Sequence, residues 1–275
     1  MDNPIELPNG QLVCRKHRLV ICGYCTVDYS FMDEMLDNSD VGIDHDSDLE
    51  QMLQLGPKRT KGTGRVFPTV FTPPRTQARP AELFTPSLNR CSSRALRFIN
   101  ATNKHQALIY TDGACLNNGQ PNPRAGWAFV FSPSSLASGR LENQGPFGGP
   151  SQPQTSNRAE LRAVIAALRF RHWTAEGFQS VVIATDSEYV VNGATTWARG
   201  WVKNGWRTAA GAAVKNRDLW EMLLGEVERW DEEGLEVVFW RIGRQLNEVA
   251  DAAAKKAAEE KADEERFMDL MGAAC

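Results

Sequence analysis

Four acidic residues in the second half of the chain stand where carboxylates are uncommon. Asp112 and Asp186 each follow a run of apolar residues typical of a strand, and Glu160 and Asp251 lie in the first turns of predicted helices. A carboxylate in such a place is costly to bury unless something pairs with it. No basic residue recurs at matching positions, which makes divalent cations the natural partners. Because Mg²⁺ prefers carboxylate oxygens together with substrate phosphate, the set predicts metal-assisted phosphoryl chemistry.

Each of the four residues also has an ordinary structural interpretation. Asp112, in an Asp-Gly pair, could form a hairpin turn, and Glu160 could complete a helix capping box with Asn157. Asp186 could cap the next helix, and Asp251 could simply favour the positive end of a helix dipole. Glu160 shares the apolar stripe of its helix, however, and four such residues in one order are not explained by four separate accidents.

Hydrophobic periodicity predicts the elements that must position these carboxylates. The predicted strands are 107–113, 126–132, a weaker one near 139–147, a short buried one at 181–184, and 236–242. Helices are predicted from about 157, from 187, over 216–232 and from 247. This order indicates a mixed α/β domain of normal size.

The order and spacing of the motifs resemble type 1 ribonuclease H over roughly residues 105–260. The resemblance is carried by Tyr110–Gly113, Thr155–Glu160, Thr185–Ser187 and Asn247–Asp251, and it extends to the Trp and Lys residues between 197 and 218. It implies a ribonuclease H-like α/β fold, with a mixed five-stranded sheet flanked by helices. It also implies an endoribonuclease that hydrolyses the RNA strand of RNA/DNA hybrids, leaving 5′-phosphate and 3′-hydroxyl ends.

The same resemblance implies roles for individual residues. Asp112, Glu160, Asp186 and Asp251 would be catalytic and would hold two Mg²⁺ ions, with Mn²⁺ as a substitute. The implied nucleic-acid contacts are Asn118, Thr155, Asn157, Trp197, Trp201, Lys203, Trp206 and Asn216. Tryptophans interleaved with basic residues suit a polyanion groove, although ordinary packing is the alternative for one of the three tryptophans.

Two features depart from the family pattern. Cellular members usually carry a histidine in the loop between the last strand and the last helix, but here the loop 241–246 has none. The four histidines of the chain lie at 17, 45, 105 and 172, and the residue available to hold a phosphate in that loop is Arg244. Pro153 stands where some members have an arginine in a phosphate pocket, which predicts a weaker pocket.

The residues before 104 have a different character. Cys14, His17, Cys22 and Cys25 are spaced as a closed Cys₃His zinc site, for which a chance cluster of reduced thiols is the alternative. The predicted organisation is a zinc-type segment at 1–32, a mostly disordered linker at 33–103, the catalytic domain at 104–262 and a tail at 263–275. The linker prediction rests on charge: residues 28–50 hold nine acids and no Lys or Arg, whereas residues 57–79 hold six Lys or Arg and no acid.

Composition narrows the remaining choices. The net charge of −3 predicts no global attraction to nucleic acid. Neither a membrane-spanning run nor a signal pattern is evident in the sequence. We therefore expect a soluble intracellular protein of the nucleus or cytoplasm. The expected partner is an RNA/DNA hybrid, with a protein partner for the zinc-type segment as a further option. The rival functions are a catalytically inactive hybrid-binding adaptor and another nuclease of this fold, such as an integrase or a Holliday-junction resolvase.

Overall fold

A computed structural model describes residues 5–6, 12–16, 21–22, 27–28, 57–88, 95–262 and 264–270. The chain divides into two compact units, Met1–Gln54 and Leu55–Cys275. In the first unit, β1 (Ile5–Glu6) pairs antiparallel with β2 (Leu12–Val13), and β3 (Ile21–Cys22) pairs antiparallel with β4 (Val27–Asp28). Within the described ranges, no helix combines the length and apolarity needed to cross a membrane.

The second unit is built on a mixed sheet of eight strands. These strands are β5 (Thr69–Val70), β6 (Phe84–Leu88), β7 (Leu96–Asn100), β8 (Gln106–Leu116), β9 (Arg124–Ser132), β10 (Ser135–Arg140), β11 (Ser180–Thr185) and β12 (Glu236–Arg241). The order is β10-β9-β8-β11-β12-β5, and β7 pairs with β8 and β6. Strands β8, β11, β12 and β5 are mutually parallel where they pair, whereas the other pairings are antiparallel.

Six α-helices accompany this sheet in the described part of the chain. They are α1 (Pro80–Leu83), α2 (Ser156–Arg169), α3 (Glu188–Asn192), α4 (Ala198–Lys203), α5 (Arg217–Glu232) and α6 (Glu248–Glu259). A π-helical turn, Gly193–Trp197, joins α3 to α4, and a 3₁₀ turn, Arg244–Leu246, precedes α6.

The alternation of side chains along the central strands separates two apolar cores. Ile109, Ile183 and Phe239 point into the larger core, which they share with α2 and α5. Their neighbours in sequence, such as Leu108 and Val182, point to the opposite face and form a second core. The central strands are thus buried on both faces, as their nearly continuous apolar sequence requires.

The second core includes residues from the segment 33–103, which was predicted to be a mostly disordered linker, so that prediction is wrong for the described part of the segment. Residues 57–88 and 95–103 are part of the folded unit: β5 extends the sheet beside β12, and Phe84 at the start of β6 is only 1% exposed. These residues, named here the amino-terminal extension, also cross α5 at Gly225, where an added Cβ atom would lie 2.1 Å from the carbonyl oxygen of Thr60. The five strands of residues 104–262 are therefore part of a larger sheet, to which residues before 104 add β5, β6 and β7. Residues 33–56 lie outside the described residues.

Glu228 of α5 ties down the extension. Its carboxylate accepts hydrogen bonds from the backbone amides of Thr63, Gly64 and Arg65 at 2.7–3.0 Å, and from the Thr63 hydroxyl at 3.0 Å. Composition alone could not reveal this, because the acceptor of these basic-segment amides lies 163 to 165 residues further along the chain.

Two further boundaries differ from the prediction. The third strand lies at Ser135–Arg140 rather than near 139–147, because β9 turns back directly at residues 133–134. The carboxyl-terminal residues 264–270 also pack on the domain: Phe267 is 6% exposed, and Arg162 donates to the carbonyl oxygen of Met268 at 2.6 Å. The described part of the predicted tail therefore belongs to the compact unit.

Candidate active site

The parallel strands bring the predicted carboxylates to one edge of the sheet. Asp186 follows β11 directly, and the loop that leads to α6 follows β12. Asp112 lies inside β8, opposite Ala128 of β9, so the hairpin-turn alternative for Asp112 is wrong. Carboxyl ends of parallel strands are the usual place for ligand sites in α/β sheets.

Gly113 permits the close approach of α2 to β8. A Cβ atom on Gly113 would lie 2.1 Å from the backbone nitrogen of Glu160, so any larger residue would displace the helix. The amide of Gly113 also donates to the Asp112 carboxylate at 2.8 Å. The Ser187 hydroxyl, at the start of α3, donates a short hydrogen bond to Glu160.

The residues that cap α2 and α3 are not the ones that the alternative interpretations of Glu160 and Asp186 required. Thr155 is the N-cap of α2 and accepts from the amide of Arg158 at 3.3 Å, so Glu160 is not the partner of an Asn157 capping box. Ser187, rather than Asp186, caps α3. Glu160 and Asp186 are therefore free of capping roles.

Asn247 links three elements at the centre of the site. Its amide nitrogen donates to the Thr111 carbonyl oxygen at 3.0 Å and to Asp186 at 2.9 Å, and the residue is 1% exposed. The sequence placed Asn247 in a motif but assigned it no role. An amide just before a helix that carries a candidate carboxylate was the available signal.

Asp251 has two basic neighbours. Arg244, in the loop that lacks a histidine, donates to Asp251 at 2.8 Å, and Lys255 pairs with it at 2.5 Å. Burial opposes ionisation of this carboxyl, but the bonds to Lys255 and Arg244 outweigh it and lower the pKa of Asp251. In the described part of the chain, no three His, Cys, Asp or Glu side chains already form a metal-binding group.

Burial and neighbouring carboxylates raise the pKa values of Asp112 and Glu160. Burial, followed by repulsion from Asp186, Glu160 and Asp251, raises the pKa of Asp112 to about 7. Burial also raises the pKa of Glu160, and Asp186 adds to the effect against the Ser187 hydrogen bond. These couplings show that the fold brings all four predicted carboxylates near each other. Such mutual repulsion is what a bound cation would relieve.

A separate cavity of about 880 Å³ gathers four of the predicted nucleic-acid contacts, Asn118, Thr155, Asn157 and Asn216. Pro153, Lys215, Arg217 and Asp218 also line it, so this cavity has two cations and one carboxylate of its own, although proline replaces the expected arginine. Asn216 adopts a left-handed backbone, with φ of 57°, and its side chain donates to the Tyr189 hydroxyl at 3.2 Å.

The predicted tryptophans fall into two groups. Trp197 is 40% exposed, and its ring centroid lies 5.9 Å from that of Trp201, which packs on Trp220 of the core. Trp206, like Trp201, is half-buried and packs against the core. Lys203 ends α4 with its side chain exposed.

The predicted zinc ligands lie largely beyond what the structure describes. Cys14 is buried just after β2. Cys22 lies in β3, but its side chain is not among the described ones, and His17 and Cys25 lie outside the described residues.

The RNase H family model matches residues 104–259, which is more than half of the 275-residue chain. The chain belongs to the ribonuclease H family. It is 42% identical over 177 residues to the ribonuclease H of Treponema pallidum subsp. pallidum, covering 58% of this chain and 98% of that protein. It is 43% identical over 152 residues to the ribonuclease H of Chromohalobacter salexigens, covering 55% and 84%.

Among solved structures, LC9-RNase H1, a type 1 RNase H with the type 2 active-site motif, is 28% identical at a TM-score of 0.36. The alignment covers 56% of this chain and 72% of that one. Family membership confirms the predicted α/β ribonuclease H-like fold and the prediction of a ribonuclease H enzyme, and it makes the rival integrase and resolvase interpretations unnecessary.

Proposed function

We propose that this ribonuclease H hydrolyses the RNA strand of RNA/DNA hybrids and leaves 5′-phosphate and 3′-hydroxyl ends. Asp112, Glu160, Asp186 and Asp251 would be its catalytic residues, with Mg²⁺ as the metal and Mn²⁺ as a substitute. The observation that carries the proposal is the gathering of four carboxylates at one edge of the sheet, where burial, followed by repulsion from the other three, raises the pKa of Asp112 to about 7.

The donor set fits hard divalent cations. It consists of carboxylate oxygens, and within the described residues neither Asp112 nor Glu160 makes an ion pair with a basic side chain. Two ions held by Asp112, Glu160, Asp186 and Asp251 would supply activation of the attacking water and stabilisation of the leaving 3′-oxygen.

The protein's own groups prepare this site. Asn247 fixes Asp186 relative to the backbone of β8, and the Ser187 hydroxyl orients Glu160. Arg244 neutralises part of the negative charge through Asp251, and its side chain is 70% exposed, so a substrate phosphate can reach it. Preorganised donors of this kind avoid reorganisation when the substrate binds.

The hybrid would lie across two surfaces. Asn118 and Asn157 would contact the RNA strand, while Thr155 and Asn216 would hold a phosphate of the DNA strand in the cavity that they share. Trp197, Trp201 and Lys203 would line the path of the DNA strand, with Trp206 supporting the loop behind them. Contacts to phosphates give affinity without sequence preference.

For the first unit, we propose a structural zinc ion bound by Cys14, His17, Cys22 and Cys25. The proposal rests on ligand spacing, since closed Cys₃His sites use such pairs and supply folding energy to small segments. A protein partner for this segment remains part of the proposal, as does an intracellular location.

The test of the main proposal is cleavage of a labelled RNA/DNA hybrid with Mg²⁺, beside single-stranded RNA, duplex RNA and the Asp112→Asn variant. Asp231→Asn, at an exposed position of α5, is the matched control. We expect cutting of the hybrid alone, lost in Asp112→Asn and retained in Asp231→Asn. Binding of the hybrid without cutting in either Mg²⁺ or Mn²⁺ would instead support an adaptor.

A further inference from the structure

The amino-terminal extension brings a basic segment to the same edge of the sheet as the candidate active site. β5 pairs parallel with β12, through Thr69 opposite Val238 and Val70 opposite Phe239. Parallel strands end at the same edge of the sheet. Residues 72–79, which follow β5, therefore lie at the edge where β12 ends, next to the loop that carries Arg244. With about 4.8 Å between neighbouring strands, β5 is roughly 10 Å from β11, which leads to Asp186.

A groove of about 380 Å³ lies between this segment and the loop after β12. Its lining includes Gln77 and Arg79 from the extension, Arg241 at the end of β12 and Gln245 from the loop. An adjoining cavity of about 720 Å³ adds Arg75 beside Arg79. The groove therefore offers guanidinium and amide donors, which suit a phosphate-bearing strand.

The arginines of this groove are available to a ligand. Arg79 is exposed and makes no ion pair with any described residue, and Arg75 approaches Glu82 only at 3.4 Å, with both side chains exposed. Arg241 pairs with Glu188 at 3.0 Å, again with both side chains more than half exposed. Exposed pairs of this kind contribute at most about 1 kcal/mol, so a phosphate group can replace the acidic partner.

We propose that Arg75, Arg79 and Arg241 form a second contact surface for the phosphodiester backbone, named here the extension groove. The groove continues the edge of the sheet that carries the carboxylates, and Arg244 lies between the groove and Asp112. The extension groove would therefore hold the strand that is cut, at phosphates beyond Arg244. This inference rests on the proposed function, since it takes the hybrid as substrate. The family match begins at residue 104, so Arg75 and Arg79 precede the matched region, whereas Arg241 lies inside it.

The experiment uses the full chain and steady-state cleavage of a labelled hybrid over a range of KCl concentrations. The test variant is Arg75→Ala/Arg79→Ala, and Arg79→Glu is a second variant that reverses one charge. The control is Lys104→Ala/Lys261→Ala, which also removes two exposed cations. Lys104 precedes β8 at the opposite edge of the sheet, and Lys261 follows the end of α6.

We expect the test variant to raise KM roughly tenfold and to reduce the slope of log KM against log salt by about one to two, since each lost phosphate contact contributes ~0.7 to 0.9. The melting temperature should stay that of the wild type, and Arg79→Glu should raise KM as well. If the wild type cuts the hybrid but the test variant matches the control in KM and slope, the extension groove does not bind substrate. If the wild type does not cut the hybrid, the proposed function itself fails.

Discussion

The charge of Asp112 should make the metal-free protein less stable than its Asp112→Asn variant. Burial and the neighbouring carboxylates raise the pKa of Asp112 from 3.8 to about 7 in the folded protein. Because the pKa of Asp112 is higher in the folded than in the unfolded protein, its protonation stabilises the fold fully at a pH below the unfolded pKa of 3.8. This stabilisation is lost as the pH rises through 7. At ~1.4 kcal/mol per pKa unit, ionised Asp112 costs the folded state about 4 kcal/mol above pH 7, as an upper limit.

Asparagine keeps the shape and the acceptor for the Gly113 amide but removes the charge. We expect a gain of about 2 to 4 kcal/mol near pH 7.5, or roughly 5 to 15 °C in melting temperature for a domain of this size. Near pH 4.5 the gain should shrink to about 1 kcal/mol, because Asp112 is then protonated in the folded state.

The assay is thermal unfolding in EDTA at both pH values, with Asp231→Asn as the exposed control. Added Mg²⁺ should raise the melting temperature of the wild type at the higher pH and should narrow its difference from Asp112→Asn. An Asp112→Asn variant that is no more stable than the wild type near pH 7.5, or one with the same gain at both pH values, would refute the reasoning.

Three further outcomes are expected. Asn247→Asp should lower kcat about 10- to 100-fold, because it replaces the donor to Asp186 by a second carboxylate, whereas exposed Asn204→Asp should leave kcat near the wild-type value. Glu228→Gln should lower the free energy of unfolding, measured by urea titration, by about 1 to 3 kcal/mol, because a charged acceptor forms stronger hydrogen bonds than a neutral one. Glu232→Gln, at an exposed position of the same helix, should change the free energy of unfolding little. Cys14→Ser should reduce the zinc content of the purified full chain, measured by elemental analysis, from about one ion per chain; an unchanged content would exclude Cys14 as a ligand.

The strands and helices of residues 104–262 could be predicted because the hydrophobic patterns that indicate them lie within each element. The buried strands β8, β11 and β12 are short apolar runs, and α2 and α5 show helical periodicity, so each was predicted within a few residues. The third strand was misplaced because residues 135–140 carry little apolar alternation.

The extension could not be predicted because its order depends on distant partners. Its prolines, threonines and cations match the composition of a disordered linker, yet Glu228 of α5 and the open face of the sheet hold it in place. Neither partner can be inferred from residues 57–103 themselves, since both lie far along the chain.

The sequence by itself determined the family, the enzyme class and the identities of the candidate carboxylates, because residue types at characteristic spacings follow from the chain alone. The tertiary structure decided what those residues experience. Only the folded chain puts Asp112 among three other carboxylates, joins Asn247 to Asp186, and carries Arg75 and Arg79 to the edge of the sheet that holds the candidate carboxylates. Electrostatic coupling depends on distance through space, and sheet order sets those distances independently of position along the sequence.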